Sequence, residues 1–154
     1  MRKLLLLLLF PILAQAETGL PDSKLTPGAL NPNVTLQNMN QTICVPNYTK
    51  TIRPSSSYTN KLKKKQIVQY NYIDTDPTHY EEDHLIPLSL GGAPSDPANL
   101  WPQPRAGVNG AGKKDILESW AHRQVCKGKL DLGVAQRFFA GNWLSGYDYY
   151  IKHK

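Results

Sequence analysis

Residues 80–102 read YEEDHLIPLSLGGAPSDPANLWP, and the reading of the fold turns on this stretch. It opens on two acids and an Asp-His pair, Glu81-Glu82-Asp83-His84. A short apolar run follows, Leu85-Ile86-Pro87-Leu88-Ser89-Leu90, and then a turn-rich segment, Gly91-Gly92-Ala93-Pro94-Ser95-Asp96-Pro97. A second apolar patch is entered through Asn99-Leu100-Trp101. Gly, Pro, Asp and Ser each break regular structure for a different conformational reason, so the pattern predicts strand, tight loop, strand. A carboxylate beside an imidazole, with an amide returning on the neighbouring strand, is a set that can hold a metal and activate a water.

Working outward, the chain of 154 residues is long enough for one domain with a modest core. Residues 1–16 carry a basic start (Arg2-Lys3), an apolar run and an Ala14-Gln15-Ala16 cleavage pattern, which predicts a secretory signal peptide. The run is too short to cross a bilayer core of ~30 Å at 1.5 Å per residue. Removing these residues leaves 138, with 16 basic against 12 acidic side chains. A mild positive balance suits a polyanionic partner.

The two cysteines are Cys44 and Cys126. In an oxidising compartment an even pair favours one disulfide. It would close a loop of roughly 80 residues and contribute about 4 kcal/mol in the chain-entropy model. The rival reading is a metal site built on His122 and Cys126 at i, i+4.

Residues 17–57, rich in Pro, Asn, Thr and Gly, predict extended chain wrapped on the surface of a core formed by 58–154. Within it, 42–45 reads as a short strand. A helix is expected over 58–70, with Leu62, Ile67 and Tyr70 near one face. Its Lys61, Lys63, Lys64 and Lys65 are either a solvated face or a phosphate-contacting patch. Residues 71–79, with Asp74, Asp76 and His79 around Pro77, read as a turn. After Pro102 a helix starts between Asn109 and Gly112 and runs to Cys126, with Leu117, Trp120, Ala121 and Val125 as its apolar stripe. Asp131 caps a further helix over 132–140, and a last helix over 142–150 turns Trp143, Tyr147 and Tyr150 to the core.

The 80–102 stretch resembles the HNH nucleases of the ββα-metal superfamily. Their pattern is an Asp-His or His-His pair, an IPLSxGG-like segment, Asn-Leu on the second strand, and a helix that brings the last His or Asn. The order of the TPGALNP, TIC, YTKTIRP, SYTNKLK, KKDILESW, VCKGKL and AQRFFAGNW segments also resembles small secreted bacterial proteins with an HNH-like core, over nearly all of the mature chain. The resemblance implies an α+β fold, mainly helical around a ββα-metal hairpin. It implies a secreted or periplasmic, monomeric, metal-dependent endonuclease acting on DNA, with RNA as a second candidate substrate, at low sequence specificity.

Carried over to this chain, the resemblance makes His84 the general base and Asp83 a metal ligand. Asn99 fixes the loop between the strands and helps orient the imidazole. Asn109 is the residue in reach for the third position, one place before Gly110, where the family pattern sets its Asn. Lys113 or Lys114 is then placed to offset charge on the phosphorane, and Glu81 or Glu82 to add a ligand. Such an oxygen-rich set suits Mg²⁺ or Mn²⁺, with Zn²⁺ or Ni²⁺ also compatible with a site containing an imidazole. The alternative from a different class is a nucleic-acid-binding module that keeps the fold without the activity.

Overall fold

The structure is a computed structural model that describes residues 19–152; the expected signal peptide lies outside the described residues. Helices dominate. The order is α1 (Tyr48–Ile52), α2 (Ser56–Gln69), β1 (Tyr80–His84), β2 (Leu100–Pro104), α3 (Ala111–Cys126) and α4 (Leu132–Tyr147), which runs on into a π-helical turn at Asp148–Lys152. The fold is therefore α+β, with a small antiparallel hairpin inside a helical frame. Among the described residues no helix is long and apolar enough to cross a membrane.

The hairpin differs from expectation in one respect. The first strand is the polar segment YEEDH, paired Tyr80 to Pro104 through His84 to Leu100. The apolar run after it forms no strand: Leu88–Leu90 is a single 3-10 turn. Pro87 lacks an amide for a ladder, and the Asn99 side chain takes over the backbone groups of Ile86 instead. Leu85, Ile86, Leu88 and Leu90 are buried, so the run serves as core rather than as sheet. Gly92 follows because a Cβ there would collide with Ile86 O, and Gly91 because its φ of +79° is left-handed.

The helices follow the sequence closely. Ser55 caps α2 by accepting from Tyr58 N, and Asp131 caps α4 by accepting from Val134 N. The two expected C-terminal helices form one element broken at Asn142, whose φ of −144° and ψ of 90° are not helical. Leu117, Ala121, Val125, Ala135, Phe139 and Trp143 pack in one cluster with Ile67, Tyr70 and Trp101. Tyr150 stacks on Trp120, so these aromatics serve packing, as expected.

The N-terminal segment, expected to be extended, instead runs through a series of turns, a 3-10 turn at Met39–Gln41 and the short α1, and its first part is laid on the hairpin loop. Gly28 N donates to Ala98 O, Asn31 N to Gly91 O, and Ala93 N to Ala29 O, and Leu30 bridges Gly92. The expected strand at 42–45 is a run of turns, in which Cys44 N and Val45 N donate back to Met39 O and Thr42 O. Cys44 still anchors the segment, through a disulfide to Cys126 at the end of α3. That bond removes the rival metal site. His122 faces the Ile43 carbonyl at 2.8 Å instead.

The bond joins positions 82 apart in sequence. In the chain-entropy model such a closure is worth about 4.5 kcal/mol. A Cys44→Ser/Cys126→Ser variant is expected to lose roughly that much in urea unfolding. A loss below about 1 kcal/mol would show that the N-terminal segment is held by its hydrogen bonds alone.

Candidate active site

β1 projects alternate side chains to opposite sides. Tyr80 and Glu82 lie on the α2 side, where Lys63 Nζ donates to Tyr80 O and Tyr80 stacks on Tyr72. Asp83 points to α3, where Lys114 meets it. His84, at the strand end, turns toward the loop that leads to β2.

His84 is buried, with a relative exposure of 5% for the residue. Its Nε2 lies 2.8 Å from Pro94 O. A carbonyl oxygen only accepts, so Nε2 carries the hydrogen and, in the neutral ring, Nδ1 keeps the lone pair. Burial pulls the His84 pKa down, against the Pro94 bond and Asp83, and the positive charges of Arg53 and Lys114 lower it further. The ring is thus held neutral near pH 7 with a fixed tautomer. Those are the two properties a general base needs.

Asn99 is fully buried. Its Oδ1 accepts from Ile86 N at 2.9 Å and Ala29 N at 3.4 Å, and its Nδ2 donates to Ile86 O and Ala93 O, both at 3.0 Å. It reaches His84 only indirectly, by fixing Ala93, whose neighbour Pro94 holds the ring.

Lys114 is where the sequence reading needs correcting. Its side chain is 0% exposed, and its three ammonium hydrogens have three acceptors: Asp83 Oδ2 at 2.7 Å, His84 O at 2.7 Å, and Glu118 Oε1. Such a group offers nothing to a substrate phosphate. Burial works against its charge, but Asp83 and Glu118 together outweigh burial and keep it protonated. Glu118 is pushed up by its own burial, against the pull of Lys114. Lys114 is a structural cation joining α3 to β1. The sequence signal for its second partner was the i, i+4 spacing of Lys114 and Glu118.

Asn109 precedes α3 and accepts from Lys113 Nζ at 3.0 Å through Oδ1. A Cβ on Gly19 would collide with it, so the start of the described chain packs against this position. Glu81 pairs with Arg105 at 2.8 Å. Glu82 has both carboxylate oxygens buried without a hydrogen-bond partner among the described residues. Asp74, Asp76 and His79 form the expected turn, with Asp74 Oδ2 2.6 Å from His79 Nδ1 and Asp76 capping Thr78.

Among the described residues no group of three or more His, Cys, Asp and Glu is arranged to hold a metal. Lys114 Nζ donates to Asp83 Oδ2, which leaves Oδ1, on a side chain 16% exposed, to offer to a cation. One carboxylate oxygen fits Mg²⁺ or Mn²⁺, which keep most of their waters and take the rest of their ligands from phosphate. Zn²⁺ and Ni²⁺ favour a nitrogen- or sulfur-rich set. Comparison with known proteins finds no matching family model, no matching curated protein and no matching solved structure.

Two predictions test this electrostatic layout. Burial, with Asp83 adding and Lys63 opposing, raises the Glu82 pKa to about 8. A carboxyl whose folded pKa lies above its unfolded one favours folding while protonated, and that contribution is lost as pH rises from about 4.5 through 8. Glu82→Gln is therefore expected to match the parent at pH 5 and to exceed it by a few kcal/mol, roughly, at pH 9. Equal stabilities at pH 9 would mean that Glu82 ionises without cost. Lys114→Met leaves Asp83 and Glu118 buried without their cation, and is expected to cost about 3–5 kcal/mol in chemical denaturation at pH 7. A loss under about 1 kcal/mol would show that the triad is solvated.

Proposed function

We propose that this protein hydrolyses phosphodiester bonds of nucleic acid, with His84 as the general base. The observation that carries the reading is the bond between His84 Nε2 and Pro94 O, which leaves Nδ1 as the acceptor on a ring that burial keeps neutral. The resemblance of the 80–102 hairpin to HNH nucleases supplies the reaction class, and the order β1, β2, α3 supports it. DNA is the proposed substrate, RNA a possible second one, and low sequence specificity goes with both.

In this reading Nδ1 of His84 takes the proton from a water that attacks phosphorus. Arg53, exposed and close enough to depress the imidazole pKa, is the cation beside the base and meets a non-bridging phosphate oxygen. Asn99 keeps the loop that carries Pro94 from moving. Asp83 would hold Mg²⁺ or Mn²⁺ through Oδ1, and the ion would offset charge on the phosphate and the leaving oxygen. The disulfide supports the accompanying proposal that the chain acts outside the cytoplasm, secreted or periplasmic, as a monomer.

One observation favours a second reading, a binding module without activity. Lys114 shares Asp83, and Lys113 occupies Asn109 Oδ1, so the expected pair of metal ligands is compromised by two ammonium groups.

A cleavage assay with plasmid DNA and with RNA separates the two. With Mg²⁺ or Mn²⁺ the mature protein is expected to nick plasmid, EDTA to stop it, and His84→Ala to reduce the rate by about 10²–10⁴-fold. The rate needs a neutral His84, so the acid limb of kcat/KM is expected below pH 6.5, the ordinary imidazole value. Tight binding with no cutting under any metal would establish the binding module in its place.

A further inference from the structure

We propose that the outward face of α2 is the surface along which a nucleic-acid backbone lies as it reaches His84. The proposal rests on the hydrolase reading and gives its substrate a path. Lys61, Lys64 and Lys65 are exposed on this helix. None of them makes an ion pair among the described residues, and α2 contains no acidic residue. Lys63 is different. It turns inward and is spent on Tyr80 O.

The three outer lysines are neighbours at i, i+3 and i+4. Like charges at this spacing oppose helix formation by a few tenths of a kcal/mol per pair. A merely solvated helix ordinarily interleaves acids with its lysines; α2 does not. The face also points to the site. Tyr58, Lys61 and Lys65 stand at i, i+3 and i+7 and share one row. The row begins at the hydroxyl of Tyr58, which donates to Ser95 O at 2.6 Å. Ser95 follows Pro94, the residue that holds His84. From Tyr58 the row rises about 10 Å along the helix axis to Lys65, a span over which one strand of duplex presents a phosphate every ~3.4 Å.

A lipid surface is the other polyanion such a helix could meet. Membrane-lying helices insert large apolar or aromatic side chains beside their lysines. On this face the exposed apolar or aromatic side chains are Val68 and Tyr58, and the Tyr58 hydroxyl is tied to Ser95 O rather than free to insert, which favours a nucleic-acid backbone.

The test is the salt dependence of binding, read by anisotropy of a short labelled duplex. The protein is the mature chain with its disulfide intact and carrying His84→Ala, so that the probe is not cut. Between about 50 and 200 mM NaCl, the slope of log K against log salt is expected to fall by about 2.7 when Lys61, Lys64 and Lys65 are all replaced by Gln, at about 0.9 per lost phosphate contact. The loss of affinity over that range then becomes about 40-fold smaller than in the parent. Arg at all three positions is expected to restore the slope. In the protein that retains His84, the Gln variant is expected to hydrolyse bis(p-nitrophenyl) phosphate, too small to reach α2, at the parent rate. An unchanged slope overturns the proposal. So does a variant that loses binding to phosphatidylglycerol vesicles while keeping its duplex slope. If the parent hydrolyses neither DNA nor the small diester, yet the slope falls as expected, the surface stands and the hydrolase reading falls.

Discussion

A single buried ammonium joins the parts of this protein that matter. Lys114 Nζ reaches a strand carboxylate, a strand carbonyl and a carboxylate one turn along its own helix. Charge this deep is tolerated only when every hydrogen has an acceptor. That requirement fixes the rotation of α3 about its axis and its height against β1, since a helix displaced by one residue would carry Lys114 away from both Asp83 and His84. The apolar packing of Leu117, Ala121 and Val125 is non-directional and would accept several such positions. The ion pairs select one.

Asn99 plays the matching part on the other side of His84. Its amide stands in for a strand partner at Ile86 and also grips Ala93 and Ala29. The N-terminal wrap, the 3-10 turn and the loop before β2 therefore share one buried hub. The imidazole inherits its order from that hub, because the carbonyl it is bonded to belongs to the residue after Ala93. A ring bonded to water instead would sample both tautomers.

Much of this was legible in the sequence because it rests on local rules. Ser55 and Asp131 announce their helices by capping. The stripe of Leu117, Ala121 and Val125 announces α3. The even pair Cys44 and Cys126 announces the disulfide. What the sequence concealed depends on partners distant in the chain. The apolar look of 85–90 suggested a strand, but strand formation needs a ladder partner, and Asn99 had already taken Ile86. Lys114 looked like a cation free to offset charge on the phosphorane because nothing local reveals that Asp83, 31 residues earlier, points at it. The Pro94 carbonyl could not be foreseen at all, since backbone acceptors are identical in every residue.

The charges around His84 bear on one another in a way that gives the layout its sense. Arg53 and Lys114 both depress the imidazole, which keeps Nδ1 unprotonated but also makes it a weaker base. An approaching phosphate carries the opposite charge. It partly neutralises the field of the exposed Arg53, while Lys114, sealed behind its three acceptors, is unaffected. In the proposed reaction the substrate would therefore raise the basicity of the imidazole when a proton is to be taken, while the free ring stays unprotonated. A base with an ordinary pKa in a neutral pocket would feel the same pull from the anion but would start closer to protonation, so more of it would already carry a solvent proton. With one cation in the open and the other under the strand, the proposed reaction would have the first meet the substrate while the second holds the frame.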